Sequence, residues 1–495
     1  MYQVGFDNEK YLSTQAAHIA ERIQRFGNKL YLEFGGKLFD DFHAARVLPG
    51  FAPNAKVQML AKLKDMAEIV LVISATDIEQ NKIRGDHGIT YGEDVLRLTD
   101  AFRNEGLYVG SVVITHFAGQ PEVIRYQQHL ERLGVAVYLH YPIADYPTNI
   151  PLIVSAEGFG RNDYVPTARP LVVVTAPGPG SGKLAVCLSQ LYHEFQRGVK
   201  AGYAKFETFP VWNLPLRHPV NLAYESATTN LNDVNLIDPF HMEAYGTAAT
   251  NYNRDVECFP VLNTIFEKIW GSSPYASPTD MGVNMVGNCI SDESVCTAAA
   301  GQEILRRYYH ALCRERTGAA VKHEIQKLEM LMNAAHISVA DRPVVAAAQA
   351  KAIESGTPGM AIELPDGTIL SGRTKSLLGA ASATLLNALK HLAGIHDDVK
   401  LISPIMIEPI QKLKIGFLGN RNPRLHTDEV LIALSICTAT NPMAELVLEQ
   451  LPKLKNSEAH STVVLSQVDI NVFSKLGIRI TCDPVYHSKN LFHKK

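Results

Sequence analysis

What is scarce in this sequence narrows its function. No apolar stretch approaches the ~20 residues needed to cross a bilayer; runs such as 67–73 and 171–174 fall far short. The first thirty residues carry charges throughout and lack the apolar centre of a secretory signal, so the expected compartment is the cytoplasm. Excess charge is missing too: 47 Lys and Arg against 50 Asp and Glu leave a formal charge of -3, which removes any general electrostatic drive toward nucleic acid or anionic membrane. The seven cysteines are an odd, scattered set without a C-x-x-C pair, which argues against a disulfide framework and for buried free thiols. The 18 histidines show no H-E-x-x-H or comparable ligand spacing, so no metal site is expected.

What is present is an ordinary globular composition, 46% hydrophobic and 20% charged over 495 residues, too long for a single core. The first third alternates strand and helix patterns: helix 14–26, strand 29–34, helix 53–66, strand 68–74, helix 92–104, strand 111–115, helix 120–133 and strand 136–141. Apolar strands separated by amphipathic helices predict a mainly parallel sheet covered on both faces. After a connection holding Pro142, Pro147 and Pro151 comes a strand over 171–175 and a helix over 183–197. From about 231 to 331 strand signals fade and helical patterns such as 261–270 and 294–316 take over. The last third changes again: a hairpin from 359–364 and 368–371 around Pro365, Asp366 and Gly367, a helix over 376–392, a strand-prone 414–418, a helix from Thr427, strand 461–466, helix 470–476 and strand 478–482. The fold class expected is α/β, with an N-terminal three-layer, mostly parallel sheet over 1–230, a helical middle domain over 231–335 and an α+β domain over 336–495.

The segment richest in chemistry joins strand 171–175 to helix 183–197. Gly178, Gly180, Ser181, Gly182 and Lys183 follow a buried strand and open a helix. Backbone N–H groups that converge at a helix N-terminus, helped by a lysine, form a cradle for phosphate. The run is not a complete G-x-x-x-x-G-K-[ST] loop: Pro177 stands where the first glycine belongs, and Leu184 where the magnesium-binding hydroxyl belongs. Ser181 is the hydroxyl left inside the turn if a nucleotide with magnesium binds. The plainer reading is a tight turn built from Gly and Pro with Lys183 in solvent.

Other loops supply candidates for an opposing cleft wall. Arg161 and Asp163 follow Gly158 and Gly160; the arginine has the fork geometry that clamps phosphate or carboxylate, and a surface ion pair with Asp163 explains the pair equally well. Arg424 and His426 precede a helix whose acids, Asp428 and Glu429, are explained by its dipole, whereas the two bases are not. Arg84, Asp86 and His87, and likewise Arg254 and Asp255, are further polar loops.

At the turn 178–183, together with 221–228, 237–241, 251–255 and 425–429, the chain resembles a bacterial family, domain of unknown function eighteen forty-six, along essentially its whole length. The resemblance implies an α/β N-terminal region, a helical middle, a smaller C-terminal α+β domain and homo-oligomers; it carries over no reaction and no catalytic residue. The function expected from the residues is binding of a nucleotide or another phosphorylated small molecule, with or without chemistry on it. A non-catalytic ligand sensor and an assembly protein are the alternatives.

Overall fold

The computed structural model describes residues 3–487 with the exception of Asp86. These form two compact units, Val4–Ala299 and the chain from Ala300 onward, and the backbone passes from one to the other within a single helix, Glu293–Arg316.

The first unit is built on seven parallel strands: β1 (Leu30–Phe34), β2 (Ala67–Ser74), β3 (Tyr108–Thr115), β4 (Ala136–Leu139), β5 (Leu171–Thr175), β6 (Gly202–Phe206) and β7 (Gly282–Val283). Their order across the sheet is β7-β6-β1-β5-β2-β3-β4. Every residue of β2 and β5 is buried, as expected of central parallel strands covered on both faces. The covering helices include α1 (Asn8–Arg25), α2 (Ala55–Lys62), α3 (Tyr91–Asn104), α4 (Pro121–Arg132) and α5 (Lys183–Gln196). Local chemistry sets their starts. The Asp7 carboxylate caps α1 by accepting from the Lys10 N–H at 2.9 Å, and Thr90 with Glu93 forms a reciprocal capping box on α3.

The strand order contains the feature that makes a site. From β1 the chain moves in one direction to β2, β3 and β4, then returns to insert β5 between β1 and β2, and leaves in the opposite direction for β6 and β7. Connections that diverge from neighbouring strands open a crevice at the strands' carboxyl ends, the place where ligands bind in open α/β sheets.

Beyond β6 the expected helices are present as α6 (Asn253–Trp270) and α7 (Glu293–Arg316). A small antiparallel ribbon, Asn235–Ile237 against Thr250–Tyr252, and the edge strand β7 interrupt the helical stretch. Runs of two or three residues are too short to produce a periodic signal.

The second unit carries a four-stranded mixed sheet of β8 (Gly359–Glu363), β9 (Ile369–Arg373), β10 (Glu458–Ser461) and β11 (Arg479–Cys482), in the order β9-β8-β10-β11. The β8–β9 hairpin turns at Gly367, whose φ of +89° is one that L side chains rarely adopt. Helices α8 (Pro343–Ser355), α9 (Ala380–Leu392), α10 (Thr427–Cys437) and α11 (Gln467–Lys475) accompany the sheet, and Ile362, Leu385, Leu389, Val430, Leu434 and Phe473 form the core. Two expected strands shift. The run 414–418 is helical: Leu413–Phe417 forms a π-helix continuing the helix Pro404–Lys412. Its alternating pattern is overridden because Lys414 points inward, donating to Glu429 Oε2 at 2.7 Å and Arg424 O at 2.8 Å, while Phe417 is left 78% exposed. The strand expected over 461–466 lies at Glu458–Ser461, where a charged first residue hides it.

That charged residue anchors a buried network. Arg342, 1% exposed, donates to Glu458 Oε2 at 2.8 Å, to Gln302 Oε1 and Thr481 Oγ1 at 3.0 Å, and to the Ala459 carbonyl at 3.0 Å. The other Glu458 oxygen accepts from Arg306 at 2.6 Å and Arg479 at 3.3 Å.

Candidate functional site

At the carboxyl ends of β1, β5 and β2 lies a cavity of about 530 Å³, within the range of small-molecule pockets. The segment after β1 contributes Gly36, Lys37, Leu38 and Asp40; the segment after β5 contributes 176–179 and Lys183; after β2, the short antiparallel pair Ile83–Arg84 with Ile89–Thr90 contributes Arg84, and α3 contributes Tyr91 and Arg97. The lining thus includes the basic residues Lys37, Arg84, Arg97 and Lys183 and the acid Asp40. Arg84 and Arg97 are held in place by Asp94, a fully buried carboxylate that accepts from Arg84 Nη1 and from Arg97 Nε, each at 2.6 Å.

The glycine-rich turn has the geometry its sequence suggests. Gly178 lies so close to Tyr91 that a β-carbon there would be 2.4 Å from the phenol oxygen, a separation that only glycine permits with the ring in place. Gly182 is the N-cap of α5 with φ +87°, and no side chain caps the helix, so its first N–H groups are left for a ligand or water. The end of β3 supports the turn: Thr115 Oγ1 donates to the Ser181 carbonyl at 2.7 Å. Ser181 itself is 2% exposed, and its hydroxyl has no hydrogen-bond partner among the described residues. Gly178 and Lys183 line the cavity; Gly180, Ser181 and Gly182 complete the turn.

Lys183 occupies an electrostatically adverse position. A cation in the first turn of a helix opposes the helix dipole, and Lys183 forms no ion pair with any described residue. An anion in the cavity would relieve both conditions.

The remaining candidates sit elsewhere. Arg161 places its guanidinium 4.6 Å from the Tyr141 ring centroid and does not line the cavity. Asp163 forms no ion pair with it: its carboxylate accepts from the Leu139 N–H at 2.7 Å, and its carbonyl meets His140 Nε2 at 3.3 Å. Burial holds the His140 imidazole down to about 3. The unfolded chain therefore binds the extra proton first. Stability from His140 is complete above pH 6.5 and falls as the pH drops toward 3, by up to about 1.4 kcal/mol per pH unit. Melting temperatures across that range should show the slope, and His140→Gln should flatten it.

Arg424 and His426 belong to the second unit. Arg424 Nε donates to the Lys375 carbonyl at 2.8 Å. His426 is the N-cap of α10, with Nδ1 3.1 Å from Asp469 Oδ2 and 3.2 Å from Ser466 Oγ. Hydrogen bonding to Asp469 raises the His426 imidazole above its usual range.

Sequence reasoning reached the loop at Arg84, and Asp86 of that loop lies outside the described residues. It passed over Lys37 and Arg97. Gly35, Gly36 and Lys37 directly follow β1 and form a second strand–glycine–lysine signal of the same kind as 178–183, whereas Arg97 reads as an ordinary surface charge on a helix. The cysteines are free and five of them are buried, in keeping with the expectation of mostly buried thiols; Cys313 is intermediate and Cys258 exposed. Among the described residues no group of three His, Cys, Asp or Glu is arranged to hold a metal ion, and no helix is long and apolar enough to cross a membrane.

Comparison with known proteins places the whole chain. Residues 4–336 match the family described as Domain of unknown function DUF1846, N-terminal, and residues 340–492 its C-terminal counterpart. The UPF0371 protein of Streptococcus thermophilus is 55% identical over 494 residues, covering 100% of both chains. That of Corynebacterium urealyticum is 56% identical over 493 residues, 99% of each, and that of Streptococcus pneumoniae 54% over 494 residues, 100% of each. Matched end to end in this way, the chain belongs to the DUF1846 family, a bacterial family of unknown function.

Proposed function

We propose that this protein binds a phosphorylated small molecule, a nucleotide or another phosphorylated metabolite, in the cavity at the carboxyl edge of the parallel sheet. The phosphate sits against the turn 178–183, where the open N–H groups of α5 and the Lys183 ammonium hold it. The observation that carries this reading is a ligand-sized crevice at the switch point lined by Lys183, a cation opposed by the dipole of its own helix and without an ion-pair partner among the described residues, beside a helix N-terminus that no side chain caps. The buried Ser181 hydroxyl adds a hydrogen-bonding group inside the same turn. Free cysteines throughout the described chain suit the reducing cytoplasm, where such metabolites occur.

A thermal-shift screen tests the reading. Nucleotides, sugar phosphates and inorganic phosphate, each with and without magnesium, are compared with their dephosphorylated parents. A phosphorylated ligand at 100 times its Kd stabilises the native state by about 2.7 kcal/mol, so its melting temperature should rise while the parent compound leaves it unchanged. Equal responses to both members of each pair, or no response across the set, would overturn the proposal.

A further inference from the structure

A second polar cluster lies at the same edge of the sheet and has no part in the cavity described above. Lys205 on β6 is registered against Glu33 on β1. The Lys205 ammonium lies 2.7 Å from Glu207 and also pairs with Asp255 in the first turn of α6 and with the Tyr252 hydroxyl. Glu33 accepts from Tyr203 at 2.7 Å.

Here a single ammonium serves two carboxylates, and apart from Lys205 neither Glu207 nor Asp255 receives a side-chain hydrogen bond from any described residue. The three side chains keep 17%, 17% and 18% exposure. The low-dielectric surroundings push the Glu207 carboxyl up to about 7 despite the lysine, with Asp255 adding to the rise.

The cluster and the glycine-rich turn are electrostatic neighbours. The thiol of Cys187 on α5 is raised first by burial; the Glu33 carboxylate raises it further and the Lys183 ammonium lowers it. Strand β1 alone separates β5, which leads into the turn, from β6. The separation is therefore two strand spacings, roughly 10 Å.

We infer that Lys205, Glu207 and Asp255 form a subsite for the hydroxyl-bearing part of the ligand, so that the ligand class is a polyhydroxylated phosphate such as a sugar phosphate. This rests on the phosphate reading above. A hydroxyl both donates and accepts, and the cluster offers acceptor and donor atoms within hydrogen-bonding distance of one another, which an apolar or purely cationic group would leave unmatched. The distance from the turn suits a sugar ring joined to its phosphate.

Isothermal titration at pH 8, where Glu207 is ionised, tests the inference with three probes: inorganic phosphate, glucose 6-phosphate and phenyl phosphate. The sugar phosphate should bind at least about tenfold more tightly than phenyl phosphate, the equivalent of one charged hydrogen bond. Glu207→Gln and Asp255→Asn should each reduce that preference to about threefold or less while leaving the affinity for inorganic phosphate unchanged. Equal binding of the two esters to the unsubstituted protein overturns the subsite and leaves the phosphate site standing. Failure of all three probes to bind overturns the subsite, and it overturns both readings when no nucleotide raises the melting temperature either.

Discussion

Glu458→Gln should destabilise the second unit by about 3–5 kcal/mol, the usual cost of removing one partner from a buried ion network. The substitution keeps the shape and deletes the charge that Arg342, Arg306 and Arg479 share. Arg342 is 1% exposed and cannot turn to water for compensation. Burial alone would raise the Glu458 carboxyl; the guanidiniums of Arg306, Arg342 and Arg479 outweigh it and hold the group below the usual carboxylate range. Because the folded-state value is depressed, this stability is fully present above the unfolded value, about 4.3, and is lost as the pH falls through the folded value. Both tryptophans, Trp212 and Trp270, lie in the first unit, so the readout must be local. Hydrogen exchange of peptides covering β10 and β11 should accelerate strongly in the variant at neutral pH and converge with the parent protein in acid. A loss below about 1 kcal/mol at pH 7 would mean that water, not Glu458, compensates the arginines.

Lys183→Ala should weaken binding of the phosphorylated ligand by about 1.5–3 kcal/mol, the range of a hydrogen bond to a charged group, or roughly 10- to 150-fold in Kd. The unliganded protein should lose no stability. Lys183 is only half-buried and opens α5 against its dipole, and removing a cation there relieves about 0.3–1 kcal/mol. Weaker binding with an unchanged or higher melting temperature separates a ligand-binding lysine from a structural one, for which both would fall. Lys183→Arg should restore part of the affinity by returning the charge in a different shape. Unchanged affinity in the alanine variant would reduce the turn to a connection between β5 and α5.

The N-terminal sheet was legible because its central strands are buried on both faces. β2 is apolar without a break from Ile69 to Ile73 and β5 from Leu171 to Val174, and the β5 boundaries match the expected ones. β6, Gly-Tyr-Ala-Lys-Phe, was not legible, since glycine and lysine interrupt the run and Lys205 is accommodated there through its contacts with Glu207, Asp255 and the Tyr252 hydroxyl. The π-helix at Leu413–Phe417 shows the same effect, an inward lysine satisfied by a distant carboxylate. In both places a contact remote in sequence supplies the energy that local pattern lacks.

The residues alone determined the class of fold and the position of the glycine-rich turn, because strand burial, glycine content and helix starts are local properties of a chain. Only the tertiary structure decided which charges meet there. Inserting β5 between β1 and β2 brings Lys37, Arg84 and Arg97 to Lys183, and the register of β1 with β6 brings Glu33 to Lys205. Those pairings follow from strand order, which depends on how connections pack across the whole sheet and leaves no mark on the spacing of residues along the sequence.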